Sequence, residues 1–133
     1  MLTVLHIDDD PGFRLLLREI ATEQGEAGGL QWLEASGVQE ALAHHAAARP
    51  DLIFLDNRLG LEDGVQLLPR VVEAFCCPVW LLSGVLTDRL EEQARRGGAA
   101  GIATKDELLE APTRLASLLR GAATTASGSA SRS

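Results

Sequence analysis

Leu2-Thr3-Val4-Leu5-His6-Ile7-Asp8-Asp9-Asp10-Pro11 is the stretch that decides the fold of this chain. The run from Val4 to Ile7 is nearly continuous in apolar residues rather than alternating, and it stops abruptly on three carboxylates. Strands buried on both faces read this way, which points to a parallel sheet covered by helices. Asp10 and Pro11 then read as the N-cap and first residue of a helix whose apolar stripe is Phe13, Leu16, Leu17 and Ile20.

The same unit recurs along the chain. Leu52 to Leu55, Val79 to Leu82 and the weaker Ala99 to Ala103 are further apolar runs, and the mixed Leu30 to Glu34 suits an edge strand. Ser36 is placed to cap a second helix with Val38, Ala41 and Leu42 inward. A third helix is expected from about Asp63 to Phe75, with Val65, Leu68, Val72 and Phe75 inward and Pro69 kinking it or delaying its start. A fourth falls near Asp88 to Arg96, and a fifth starts around Pro112 and buries Leu115, Leu118 and Leu119. Five strands alternating with five helices predict an α/β domain with a doubly wound parallel sheet, since right-handed helical crossovers join parallel strands. The expected sheet order is the flavodoxin-like 2-1-3-4-5. Residues 1–120 form this domain, and 121–133, rich in Ala, Ser, Thr and Gly, are expected to be a disordered tail.

Composition narrows the function. The chain has 133 residues, 46% of them hydrophobic, with a formal charge of −7. An acidic surface argues against direct nucleic-acid binding and against docking on an anionic membrane. No apolar run reaches the ~18 residues of a membrane span, and the start lacks the regions of a signal peptide, so a cytoplasmic protein is expected. Cys76 and Cys77 are adjacent and read as packing thiols. His44 and His45 lie in an Ala-rich helix away from the acidic turn, and His6, inside a strand, is expected to be a hydrogen-bonded core histidine.

The polar residues that remain gather at strand ends: Asp8-Asp9-Asp10, then Asp56, then Ser83-Gly84, then Lys105. A parallel sheet puts all four sets on one edge, and the 2-1-3-4-5 order makes strands one and three neighbours at the switch point. Clustered carboxylates repel and need a cation to share. Mg²⁺ prefers oxygen ligands and bridges readily to phosphate. A carboxylate can attack phosphorus to give an acyl phosphate, and phosphoryl transfer needs positioning and charge neutralisation. Lys105 can supply a point charge to one phosphoryl oxygen, and Ser83 can donate to another.

Five motifs in this order resemble the response-regulator receiver domains of two-component signalling, over roughly residues 2 to 120. They are Val4-Leu-His-Ile-Asp-Asp-Asp-Pro11, Pro50-Asp-Leu-Ile-Phe-Leu-Asp56, Glu62-Asp-Gly64, Pro78-Val-Trp-Leu-Leu-Ser-Gly84 and Gly101-Ile-Ala-Thr-Lys105. The resemblance implies a stand-alone module, switched by phosphorylation and not a turnover enzyme. Asp56 would be the phosphoacceptor and Asp9 a direct Mg²⁺ ligand. Asp8 would support the ion directly or through water, and the backbone carbonyl of Arg58 would be a further ligand. Ser83 and Lys105 would take phosphoryl oxygens. A histidine kinase or phosphotransfer protein would be the donor, docking over the first helix, and output would pass to a protein target that the sequence does not name.

Two positions depart from the family pattern. Lys105 is followed by Asp106 where many receivers have proline, so no cis peptide is expected there. Ile102 stands where an aromatic residue is common, which implies a smaller switching rearrangement through the fourth helix and fifth strand. Two rival readings compete. An aspartate-nucleophile phosphatase of the haloacid dehalogenase type would use Asp8 and Asp10, but leaves the Asp56 motif unexplained. A receiver-like adaptor without phosphorylation would not need the full acid, hydroxyl and lysine set.

Overall fold

The computed structural model describes residues 1–25 and 28–132, with side chains described through Thr124. The chain runs β1 (Leu2–Ile7), α1 (Pro11–Gln24), β2 (Leu30–Ala35), α2 (Val38–His45) and β3 (Leu52–Asp56). A small antiparallel hairpin follows, β4 (Arg58–Leu59) with β5 (Glu62–Asp63), then α3 (Gly64–Phe75), β6 (Val79–Ser83) and α4 (Asp88–Gly97). The last elements are β7 (Gly101–Thr104), α5 (Lys105–Glu110) and α6 (Pro112–Arg132).

The five long strands pair in parallel in the order β2-β1-β3-β6-β7, the flavodoxin-like arrangement expected from the alternation of strands and helices. Register is what positions the site. Ile7 lies opposite Ala35 and Leu55, Asp56 opposite Leu82, and Ser83 opposite Thr104. The carboxyl ends of β1, β3, β6 and β7 are therefore nearly level.

The strands alternate their side chains between two apolar layers. Leu5, Ile7, Ile53, Leu55 and Leu81 pack with residues of α2, α3 and α4. Leu2, Val4, Phe54 and Leu82 pack with residues of α1, α5 and α6. Fully burying one such side chain contributes roughly 1.5–3 kcal/mol, so the two layers hold the sheet edge rigid beneath the polar residues.

Local differences from the sequence expectation have local causes. On α1 the buried stripe is Phe13, Leu17 and Ala21, while Leu16 is exposed, because the helix rolls its i, i+4, i+8 row onto the sheet. Ser36 does not cap α2. Gly37 occupies the N-cap, and the Ser36 hydroxyl instead pairs with the Glu40 carboxylate. In α3 Val71 is buried and Val72 only partly so, and Pro69 sits on the exposed side of a helix that starts at Gly64. Helix α5 was not expected. Thr104 and Glu107 cap it reciprocally, which also makes Lys105 its first residue. Beyond 120 composition set a disordered tail, yet α6 continues as helical backbone to Arg132 and Ala122 is buried in the core. Alanine is the least costly residue to add to a helix, and α6 is already anchored by Leu115 and Leu119. Residue 133 lies outside the described residues.

Candidate functional site

Asp8 follows directly on β1, and its environment is fixed on every side. It is wholly buried. Its Oδ1 accepts the Asp10 amide at 2.9 Å, its backbone carbonyl accepts Arg14 Nη1 at 2.8 Å, and its Oδ2 lies 3.1 Å from Lys105 Nζ. Burial alone would push its carboxyl up, but His6, the Asp10 amide and Lys105 outweigh that and hold it below the ordinary carboxylate value. Asp8 is therefore an anion at neutral pH.

Asp56 ends β3 and is 2% exposed. Its Oδ1 accepts the Arg58 amide at 3.2 Å and its Oδ2 lies 3.3 Å from Lys105 Nζ. The chain beyond it is held by Asn57, whose side-chain and backbone oxygens accept the amides of Val65 and Gly64. Gly64 has to be glycine, since a Cβ there would lie 2.0 Å from the Asp56 carbonyl oxygen. Burial, then repulsion from Asp8, raises the Asp56 carboxyl to about 7 against the opposing pull of the Arg58 amide and Lys105.

Lys105 bridges both acids and also sits 4.6 Å above the centre of the Phe13 ring. Burial would lower its pKa, but Asp8 and Asp56 together raise it, so the amine stays charged. Asp9 is exposed, and its Oδ2 accepts the Gly60 amide at 2.7 Å from the hairpin. The carboxylates of Asp8, Asp9 and Asp56 offer oxygens that lie within 4.8 Å of one another. An all-oxygen set of this size fits a hard divalent cation.

The structure thus brings Asp8, Asp9, Asp56 and Lys105 together. Ser83 is buried at the end of β6, but its hydroxyl donates to the Val85 carbonyl at 2.6 Å rather than to Asp56. Arg58 meets Asp56 through its amide. A cavity of about 420 Å³ opens beside the site, lined among others by Arg58, Ser83, Val85 and Arg89. Asp10 is exposed and caps α1 through the Gly12 and Phe13 amides. His45 contacts the Glu34 carbonyl, and Cys77 is held inert by burial, which raises its thiol to about 12. Sequence reasoning overlooked Arg14 and Asn57. Asn57 adjoins the acid whose turn it holds, and Arg14 lies one helical turn past the Asp10 cap, so position was the available signal.

Fold and site together define a flavodoxin-like α/β domain with an acid-and-lysine centre at its switch point. The sequence profile of the response regulator receiver domain matches residues 4–117. The chain belongs to that family, whose members serve two-component systems. It is 39% identical over 77 residues to protein-glutamate methylesterase/protein-glutamine glutaminase 3 of Hahella chejuensis, covering 57% of this chain and 21% of that protein. It is 34% identical over 68 residues to sporulation initiation phosphotransferase F of Bacillus subtilis, covering 51% and 52%. The matched part of the chain thus spans about a fifth to a half of the length of these curated relatives. The signal receiver domain of a DNA binding response regulator from Colwellia psychrerythraea superposes with a TM-score of 0.76 at 19% identity, covering 90% of this chain and 99% of that one. No helix among the described residues is long and apolar enough to cross a membrane.

Proposed function

We propose that this receiver domain accepts a phosphoryl group on Asp56 from a phosphohistidine donor, and that acceptance changes which proteins it contacts. One observation carries the reading: Lys105 Nζ stands 3.1 Å from Asp8 and 3.3 Å from Asp56. One ammonium therefore faces both the proposed nucleophile and the acid beside it.

An Asp56 carboxylate oxygen would form the new P–O bond in line with the breaking P–N bond, and the donor's imidazole would depart. Lys105 would exchange its pairing with Asp56 for one phosphoryl oxygen. Ser83 would turn from the Val85 carbonyl to donate to another. Asp8, Asp9, Asp56 and the Arg58 carbonyl would hold Mg²⁺, which would neutralise charge on the transferring group. Asp56, whose carboxyl burial and Asp8 raise to about 7, would be the ligand whose ionised form a bound cation favours.

The family supports a signalling role rather than turnover. A histidine kinase or phosphotransfer protein is the proposed donor, in the cytoplasm, and the exposed Leu15 and Leu16 of α1 offer an apolar face beside the site for docking it. The domain proper is proposed to span 1–120, with α6 running on beyond it and seating Ala122 against the core. Labelling from acetyl phosphate tests the reading. It is expected to need Mg²⁺, to stop near one phosphoryl group per chain, to be base-labile, and to vanish in Asp56→Asn. Catalytic hydrolysis of excess substrate would instead identify a phosphatase, and absence of labelling in the native chain an adaptor.

A further inference from the structure

On the face of β1 that carries Leu2 and Val4, the next residue is an imidazole. His6 is wholly buried. Phe13, Trp32 and Phe54 meet its ring edge to face, with centroids 5.5, 6.0 and 6.5 Å away. These three rings fix where the imidazole sits and keep it from water. The hydrogen-bonded histidine expected from the sequence is not found: neither ring nitrogen has a well-aligned partner, although Nε2 stands 3.3 Å from Asp8 Oδ2. For packing alone a leucine would serve, without leaving polar nitrogens in an apolar layer. What the imidazole adds is its approach to Asp8.

A carboxylate only accepts, so the ring nitrogen that faces Asp8, Nε2, is the one that carries the proton. Asp8 Oδ2 then lies between His6 and Lys105, while Oδ1 is held by the Asp10 amide. Without the imidazole, only Lys105 would face Oδ2, and the carboxylate could follow that flexible amine.

We propose that His6 is a positioning residue for the cation site: from within the core it orients the Asp8 carboxylate so that Asp8, Asp9 and Asp56 converge. It acts through Asp8 and touches neither the ion nor the phosphoryl group. The inference rests on the reading of the three acids as a divalent-cation site. Partners that orient a ligand from behind typically change metal affinity about 10- to 100-fold when removed.

The test uses the full chain with Mn²⁺ as the probe, free ion being counted by its EPR signal, in the native sequence, His6→Leu and His6→Gln. His6→Leu is expected to weaken Mn²⁺ binding about tenfold, while its thermal midpoint in chelator stays level or rises. His6→Gln, whose amide can reach the same carboxylate, is expected to recover most of the affinity. If the leucine chain proves unfolded by circular dichroism, His6→Val replaces it. Native-like binding in the apolar variant, or a glutamine variant as weak as the leucine one, would overturn the proposal. A native chain that fails to bind Mn²⁺ would contradict the cation site itself, and is told apart because it appears before any substitution.

Discussion

Asp56 carries a testable pH signature. Its folded pKa of about 7 lies above the ordinary 3.8, so the folded chain keeps a proton that the unfolded chain releases between those values. Without divalent ion, this residue's contribution is greatest below about pH 4 and declines as pH rises to about 7. Asp8 acts in the opposite sense: its pKa is lowered, so its contribution is present at neutral pH and lost as pH falls below 3.8. Asp56→Asn is expected to stabilise the chelated protein more at pH 8 than at pH 5, by on the order of a few kcal/mol. Urea midpoints at pH 5 and 8 check this, and an unchanged slope in the variant would contradict it. Gly64→Ala forces a methyl onto the Asp56 carbonyl. It is expected to cost roughly 1–3 kcal/mol and to slow labelling, read by urea melts and acetyl phosphate kinetics. Arg58 and Val85 border the cavity beside the site, and on the proposed reading they restrict attacking water. Arg58→Asn is expected to shorten the phosphoryl lifetime two- to tenfold, a barrier change of up to about 1.4 kcal/mol. Equal decay rates would remove that role.

At the scale of elements, the hydroxyl of Ser83 ties the end of β6 to the loop before α4. It donates to the Val85 carbonyl and accepts the Val85 amide at 3.3 Å. If Ser83 turns toward a phosphoryl group, the Val85 amide loses its acceptor. Ile102 packs on the same core layer as Leu81 and Leu90 and is half-buried, so its movement is limited to repacking. Amide exchange with a phosphoryl mimic is therefore expected to speed at Val85 and to change through 83–90 and 101–104. Identical patterns with and without the mimic would count against this. The elements that sequence reasoning missed are those whose cause is local chemistry rather than apolar periodicity. Thr104 and Glu107 formed a readable capping box three residues apart. The β4–β5 hairpin has only two residues per strand and turns through Gly60 at φ 64°, too short for any period to show. The far end of α6 was hidden because Ala, Ser, Thr and Gly also compose flexible tails, and composition does not reveal that a helix is already anchored upstream.

For the whole molecule, the sheet order was legible because it follows from alternation and handedness, and the strand ends carried the acids with them. Asp8, Asp56 and Lys105 meet as the order requires. What sequence does not encode at that scale is the interior setting of the centre. That the Asp8 carboxylate lies wholly inside, with a buried histidine against it, depends on three rings from α1, β2 and β3 closing around β1. The direction in which Ser83 points was equally illegible, since a hydroxyl at a strand end can serve either its own loop or its neighbour.

Cation and phosphoryl group are held, on this account, by one shared set of side chains, so each should favour the other. The direct measurement is Mg²⁺ affinity by calorimetry with and without beryllofluoride, a phosphoryl mimic. Tighter Mg²⁺ binding in its presence, lost in Asp56→Asn, is the predicted result. Equal affinity with and without the mimic in the native chain would mean that the acids and the lysine do not form a single centre.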